Sequence, residues 1–278
     1  MTLCIAAACR YKDRDAVVLG SDFMVTGSSK ADILDKLYWI QNQEWPVLIS
    51  GDDISRAVEL KEVYRQALEG HTGPIGVDDF LAVMYEPLRI QKHRIADQYV
   101  SRVLGLSYEH FLGRGRDELP EGTRRRVLGE ISRLKFDAEL LIVVFVRTKT
   151  RTGRFRKYKR PIIFKVGDSG VDWCEQYGCI GSGADTADAI LAYREHDESA
   201  LAYRAMYHVH EAMTLGAKVS PGVGEGVLAI VYDDGEDIVS KQPKGPYRRA
   251  LRRMFARRIG PREVSRPPAM RDRDLGEF

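Results

Sequence analysis

Short apolar runs separated by polar turns form the pattern of the N-terminal part of the chain. Residues 3–9 and 16–20 are apolar almost throughout, and the charged turn 10–15 lies between them. Runs of this length with polar boundaries are typical of buried strands joined in a hairpin. Residues 33–40 and 46–51 have the same character, so the pattern predicts a meander of four strands. We therefore expect the chain to begin in a core strand, although chain termini usually fray.

Apolar residues recur at the spacing of a helix in four later segments. These segments are 54–69, 78–103, 184–193 and 199–216. Pro87 is expected to kink the second of them. Short apolar runs between and after the helices predict further strands at 139–147, 161–166, 177–180 and 227–232. Strands, two helices, strands, two helices and a final strand predict an α+β fold.

Two segments do not fit this succession. Residues 105–138 contain a polar loop and a short basic helix at 123–134, and we interpret them as an insertion without an assigned role. From residue 236 onward the apolar content falls while Pro and Arg increase. We therefore predict a main domain over 1–235 and a basic, flexible tail over 236–278. The tail is expected to become ordered only when it binds a partner, although its residues 247–258 can form a basic helix.

The net charge of +3 hides an uneven distribution. Residues 241–278 contain twelve Lys or Arg and four Asp or Glu, a balance of +8, so the rest of the chain has a charge of −5. The predicted hairpin tip from Lys149 to Arg160 is also basic and includes Phe155 and Tyr158. Basic segments with aromatic residues can bind nucleic acid or an acidic protein, although a tip of this kind is more often simply solvated.

The cysteines and the apolar runs bear on the location of the protein. None of the four cysteines, Cys4, Cys9, Cys174 and Cys179, belongs to a metal-binding CxxC pair. We interpret the cysteines as buried, reduced thiols of a cytoplasmic protein, and a disulfide is the less favoured alternative. The longest apolar runs are far shorter than the ~20 residues of a membrane-spanning helix. Because the first apolar run also lacks a basic leader, we expect a cytoplasmic protein without membrane contact.

The N-terminal part contains, in this order, the motifs Met1-Thr2, Gly20-Ser21-Asp22, Lys36 and Ile49-Ser50-Gly51. In their order and roughly in their spacing, these motifs resemble those of the proteasome β-subunit group of N-terminal-nucleophile hydrolases, of the bacterial proteasome-related type. Residues 180–184, Ile-Gly-Ser-Gly-Ala, resemble its second motif at the start of a helix. The resemblance implies a four-layer αββα sandwich, in which two sheets pack face to face between helices.

The resemblance also implies a catalytic apparatus. Removal of Met1 exposes Thr2, whose hydroxyl is the expected nucleophile. A threonine hydroxyl needs an activating base, and the free terminal amine, which titrates near pH ~8, is the expected one. Asp22 is expected to orient Lys36, and Lys36 to tune the nucleophile and the amine electrostatically.

Three further residues match positions of the family's site. Gly51 matches the glycine whose N–H faces the developing oxyanion, Ser182 matches a serine near the terminal amine, and Ser220 matches the serine of the third motif. The family has an Asp three residues before that last serine, where this chain has Ala217. Either another carboxylate such as Glu225 replaces this Asp, or other groups control the position and protonation of the terminal amine.

Each matching residue also has an ordinary structural alternative. Thr is a common second residue, and Lys36 can be a strand-edge lysine whose stem is packed and whose head is in water. Gly51 can simply end a strand, and residues 181–183 can form a plain turn into a helix.

The expected function is that of a threonine-type amide hydrolase or endopeptidase that assembles into a ring or stacked oligomer and cleaves peptides or proteins. The alternative is a non-catalytic, proteasome-like scaffold that binds partners through the basic hairpin and tail. A hydrolase of small amides is a third class, since related folds process non-peptide amides. No cofactor or metal is predicted, because His208 and His210 would point in different directions and the glycines of 222–226 precede a strand rather than open a helix.

Overall fold

The computed structural model describes residues 2–22, 36–40, 44–51, 54–69, 77–113, 115, 117–148, 156–220, 223, 226–257 and 275–277. They form a mixed α/β structure with two antiparallel sheets, which agrees with the predicted α+β class. The strands are β1 Cys4–Tyr11, β2 Arg14–Asp22, β3 Leu37–Ile40, β4 Trp45–Gly51, β5 Ala138–Val146, β6 Arg160–Gly167, β7 Gly170–Cys174, β8 Tyr177–Ile180, β9 Gly226–Asp233, β10 Ile238–Pro243 and β11 Leu275–Glu277. The helices are α1 Ile54–Leu68, α2 Val77–Leu104, α3 Tyr108–Leu112, α4 Glu121–Ile131, α5 Ala184–Tyr193, α6 Ala202–Val219 and α7 Gly245–Ala256.

The strands are divided between two sheets. The first sheet has the order β11-β10-β9-β2-β1-β8, and the second has the order β3-β4-β5-β6-β7. All four strands predicted in the N-terminal part exist, but they do not form one meander. β1 and β2 pair in the first sheet, whereas β3 and β4 pair in the second.

Strand β1 is buried on both faces, which explains its continuous apolar sequence. Side chains of a strand alternate between its faces. Ile5 and Ala7 belong to one apolar cluster with α5 and α6, while Cys4 and Ala6 belong to a cluster shared with the second sheet. The Cys4 thiol also donates a hydrogen bond to the carbonyl of Ile49 on β4, at 3.5 Å. The two sheets therefore contact each other directly.

Helices pack on the other face of each sheet. Residues of α5, α6 and α7 share a buried cluster with β1, β2 and β9, and residues of α1 and α2 share one with β4, β5 and β6. Each sheet thus buries one face against helices and the opposite face against the other sheet. Among the helices in the described ranges, none is long and apolar enough to span a membrane.

Most predicted elements are confirmed within a few residues. The four predicted long helices correspond to α1, α2, α5 and α6, and α2 continues through Pro87. Strand β7 was not predicted, because only Val171 of its five residues is buried and the run is not apolar. Lys36 was expected within a strand, but it immediately precedes β3.

The expected flexible tail from residue 236 is wrong for residues 238–256. β10 pairs with β9 from Ile238↔Asp233 to Lys241↔Ile230. Helix α7 buries Tyr247, Leu251 and Met254 in the core. The basic helix expected at 247–258 is confirmed as α7. Its apolar residues lie on one face and pack into the core of the chain itself, so the basic composition of the tail does not make this part flexible.

The insertion has a small apolar cluster of its own. Val100 near the end of α2, Phe111 on α3 and Val127 on α4 are fully buried together. The carboxylate of Asp97 accepts a hydrogen bond from the backbone N–H of Tyr108 at 2.7 Å, which fixes the start of α3 to α2. The predicted short basic helix is confirmed as α4.

The basic hairpin tip is described only from residue 156 onward, and residues 149–155 lie outside the described part of the chain. Arg156 forms an ion pair with Asp15 at 3.3 Å, and Lys159 forms one with Glu44 at 2.8 Å. Arg160 pairs with Glu198. The described basic side chains therefore include three that already have carboxylate partners within the chain.

The four cysteines are free thiols. Cys4, Cys9 and Cys179 are buried, as predicted, while Cys174 is half-buried. Burial raises the pKa of the Cys4 and Cys9 thiols. Neither is a reactive thiolate at neutral pH, since reactivity requires a lowered thiol pKa.

Two buried histidines, one just after α5 and one on α6, connect this part of the chain with β1. Nε2 of His196 lies 3.0 Å from the carbonyl oxygen of Ala8, so this nitrogen carries the proton and donates. Nδ1 of His196 lies 3.1 Å from Nδ1 of His208, so His208 donates there. Burial, followed by the charges of His196 and Arg194, lowers the pKa of His208 to about 3. Burial also lowers the pKa of His196.

This pair predicts a loss of stability in mild acid. Because the pKa of His208 is lowered on folding from its ordinary value of 6.5, the unfolded chain binds a proton that the folded chain excludes. The stabilisation is complete above pH 6.5 and is lost as the pH falls below that value. We expect His208→Gln to flatten the fall in the free energy of unfolding between pH 7 and 5, measured by urea unfolding. His110→Gln, at an exposed position, is the control, and equal slopes in wild type and His208→Gln would contradict the prediction.

Candidate active site

The start of β1 is attached to the end of β2. The backbone N–H of Leu3 donates to Oδ1 of Asp22 at 3.2 Å, and the N–H of Asp22 donates to the carbonyl of Leu3 at 3.1 Å. These two bonds hold Thr2 beside Asp22, and Thr2 is only 5% exposed. The short apolar strands and the polar turn between them produce this arrangement, because the hairpin register places the beginning of one strand next to the end of the other.

The Lys36 ammonium lies between the side chains of Thr2 and Asp22. Its Nζ is 3.0 Å from Oγ1 of Thr2 and 2.6 Å from Oδ1 of Asp22. The side chains of both Lys36 and Asp22 are fully buried. Buried charges persist in proteins when they are paired and hydrogen-bonded, and this ion pair meets both conditions. The lysine is therefore not a strand-edge side chain with its head in water.

This arrangement places a fixed positive charge at the Thr2 hydroxyl. An ammonium 3.0 Å from an oxygen favours any negative charge that develops on it. The effect is large because water is excluded and the local dielectric is low. Asp22 holds the ammonium in place and balances its charge. The geometry can therefore support a nucleophilic attack by Thr2 Oγ1.

The turn after β8 contacts Thr2 from the other side. Oγ of Ser182 donates to the Thr2 carbonyl at 3.4 Å, and Oγ of Ser220, at the end of α6, donates to the Ser182 carbonyl at 3.1 Å. A Cβ on Gly181 would lie 2.2 Å from the Thr2 carbonyl oxygen, and its φ of +93° is in the region that favours glycine. Only a glycine allows this close approach.

A carboxylate that the sequence did not single out also contacts this turn. Oε2 of Glu139, on β5, accepts a hydrogen bond from the backbone N–H of Gly181 at 2.8 Å. Its Oε1 lies 3.4 Å from Nζ of Lys165. The only sequence signal was a charged residue at the start of an otherwise apolar strand. Its partner lies 42 positions away, so spacing could not reveal the contact.

Gly51 is the last residue of β4, opposite Ala138 in the register of the second sheet. The residue before it, Ser50, is buried. A Cβ on Gly181 would lie 2.8 Å from Ser50 Oγ as well as against the Thr2 carbonyl. The end of β4 thus reaches the Thr2 region, while the role of the Gly51 N–H at an oxyanion stays a prediction.

The position of the missing Asp is on α6. Ala217 lies in the last turn of this helix, where the side chain is half-buried. Glu225, the proposed replacement, lies outside the described part of the chain. The replacement of this carboxylate therefore stays a prediction.

No protein-family model matches the chain, and no curated protein sequence is significantly similar to it. Within the described ranges, no group of three or more His, Cys, Asp or Glu could hold a metal ion.

The buried ion pair predicts strong coupling between two substitutions. Lys36→Met or Asp22→Asn alone leaves a buried charge without its main counter-ion, and each should lower the free energy of unfolding by about 3–5 kcal/mol. The double variant should lose clearly less free energy of unfolding than the two single variants together, because neither buried charge remains. Urea unfolding measures all three. Lys165→Met, which removes a partly exposed partner of Glu139, should cost no more than about 1 kcal/mol, and additive single effects would contradict the prediction.

The contact of Glu139 predicts local protection of one amide. Glu139→Leu removes the acceptor of the Gly181 N–H, so hydrogen exchange at Gly181 should accelerate by at least about tenfold. Glu139→Gln retains an acceptor oxygen and should preserve most of the protection. Amide exchange followed by NMR provides the measurement. Equal exchange rates in wild type and Glu139→Leu would show that this bond does not hold the turn.

Proposed function

We propose that this protein is a threonine-type amide hydrolase of the N-terminal-nucleophile kind, similar to proteasome β-type subunits. The observation that carries the proposal is the buried Lys36 ammonium, 3.0 Å from Thr2 Oγ1 and 2.6 Å from Asp22 Oδ1. A fully buried cation held by a carboxylate against a hydroxyl is costly for a fold to maintain. Such a cation is useful in a catalytic site, where it stabilises the alkoxide that the hydroxyl becomes.

The proposed reaction begins with removal of Met1. Removal frees the Thr2 amine, which the reaction needs as its base. The amine takes the hydroxyl proton, and Oγ1 attacks the amide carbonyl of the substrate. Lys36 stabilises the charge on the nucleophile, and the Gly51 N–H binds the oxyanion.

The second half of the reaction releases the products. The protonated amine of Thr2 gives its proton to the leaving amine of the substrate as the carbon–nitrogen bond breaks, which leaves an ester on Oγ1. Water then attacks this ester with the amine again acting as base, and the acid product leaves. Ser182 and Glu139 position Thr2, Ser182 through the Thr2 carbonyl and Glu139 through Gly181.

The layers support the same proposal. Two sheets in face-to-face contact, each with helices on its other side, are the arrangement that an αββα N-terminal-nucleophile sandwich requires. The nucleophile of such a fold lies at the entry to the first strand, and Thr2 lies two residues before β1. The family assignment remains a proposal that rests on these contacts and on the motifs of the sequence.

Substrate and assembly are parts of the proposal. We propose peptides or proteins as substrates and a ring or stacked oligomer in the cytoplasm, since an enclosed chamber protects other proteins from an unselective protease. A monomer would instead favour a hydrolase of small amides. The hairpin gives the non-catalytic scaffold little support, because its described basic side chains Arg156, Lys159 and Arg160 pair with carboxylates within the chain.

Covalent labelling tests the proposal directly. A β-lactone probe should acylate Thr2, and mass spectrometry should locate the adduct on an N-terminal peptide that lacks Met1. Thr2→Ala should abolish labelling and reduce hydrolysis of fluorogenic peptides by more than about 1,000-fold. Thr2→Ser keeps a hydroxyl and should retain labelling.

The same experiment can overturn the proposal. Retention of Met1 in the purified protein, an adduct at another residue, or equal peptide hydrolysis by wild type and Thr2→Ala would each do so. Lys36→Met provides a check that does not depend on the nucleophile itself. It should slow labelling at Thr2 while the hydroxyl is still present.

A further inference from the structure

A polar cleft lies between two helices and the insertion, and none of its lining residues belongs to the Thr2 site. Its volume is about 270 Å³. Residues of α1, residues of the C-terminal half of α2 and the segment 134–136 that follows α4 line it. The residues from α2 include Gln91, Arg94, Gln98 and Arg102, which recur every three or four positions and share one helix face.

The cleft has an excess of positive charge. Arg56, Arg94, Arg102 and Lys135 line it, against a single carboxylate, Glu59. Arg94 pairs with Glu59 at 2.5 Å, and Arg56 pairs with Asp137, next to the cleft wall, at 3.7 Å. Among the residues that the structure describes, no carboxylate lies within ion-pair distance of Arg102 or Lys135. Two cations without a counter-charge on the wall of one cleft favour the binding of an anion.

A buried polar atom on the wall of the cleft sets a second requirement for the ligand. Gln91 lines the cleft and is 3% exposed, and its side-chain oxygen has no hydrogen-bond partner. A buried acceptor without a donor is unfavourable. An occupant with a hydroxyl group would supply that donor. The two requirements, an anion and a hydroxyl, restrict the class of ligand.

We propose that this cleft binds a small phosphate monoester that carries hydroxyl groups, of the size of a sugar phosphate. The phosphoryl oxygens contact the guanidinium of Arg102, whose fork of donors matches them, and the ammonium of Lys135. A hydroxyl of the ligand donates to Gln91. The volume lies just below the range of about 300–1,000 Å³ of small-molecule pockets, which favours a single sugar phosphate over a dinucleotide.

The proposal gives the insertion a role. Leu134, Lys135 and Phe136 form one wall of the cleft, and they lie within the segment 105–138. The backbone of Phe136 is fixed by a hydrogen bond from its N–H to the carboxylate of Asp168 at 2.9 Å. This wall therefore has a defined position, and binding does not depend on the hydrolytic activity of the protein.

Calorimetric titration of the full chain tests the site with three probes: glucose 6-phosphate, inorganic phosphate and glucose. Glucose 6-phosphate should bind saturably, inorganic phosphate more weakly, and glucose not measurably. Arg102→Ala and Lys135→Ala should each weaken glucose 6-phosphate binding by about tenfold or more. Arg125→Ala is the control, because it removes an exposed arginine that pairs with Glu121 on α4. It should leave the affinity unchanged.

Gln91→Leu separates the hydroxyl contact from the charge. This variant should weaken the binding of glucose 6-phosphate but not the binding of inorganic phosphate. If this buried substitution prevents folding, Arg102→Ala and Lys135→Ala still test the proposal. No saturable binding of glucose 6-phosphate up to about 10 mM would overturn the proposal. Equal losses in Arg125→Ala and Arg102→Ala would overturn it as well, since they would show a general effect of surface charge.

Discussion

The buried ion pair between Lys36 and Asp22 is the contact on which the site depends. Its two charges come from different sheets: Asp22 ends β2 in the first sheet, and Lys36 precedes β3 in the second. The two side chains form a fully buried pair at 2.6 Å. Neither charge is stable in the core alone, so both must be buried together. It therefore ties the two sheets together at the point where Thr2 lies, and it orients the ammonium toward the Thr2 hydroxyl.

The rest of the structure holds this pair in place from several directions. The apolar layer between the sheets excludes water from it, and the Cys4 thiol joins β1 to the carbonyl of Ile49 across that layer. The turn at Gly181 adds support on the side of the Thr2 carbonyl. A site assembled in this way is preorganised, because its charged groups cannot move without breaking core packing.

The accuracy of the sequence predictions followed the range of the interactions involved. Apolar spacing located α1, α2, α5 and α6 because burial of one helix face leaves a local, repeated signal. The helix expected at 247–258 exists as α7, but composition misled about its environment, because the Pro- and Arg-rich average of the tail predicted flexibility where Tyr247, Leu251 and Met254 are buried. Strand β7 left no apolar run, and the division of four strands between two sheets depended on pairing that no local pattern encodes.

Within the candidate site, the sequence by itself determined the residue types and their order: a threonine before a core strand, an aspartate at the end of the next, then a lysine and a glycine-rich turn. Only the tertiary structure decided that Lys36 is fully buried and 3.0 Å from Thr2 Oγ1. It alone showed that Glu139 holds Gly181. Burial and contacts between distant residues arise from the packing of two sheets, and the spacing of residues along a chain does not record that packing.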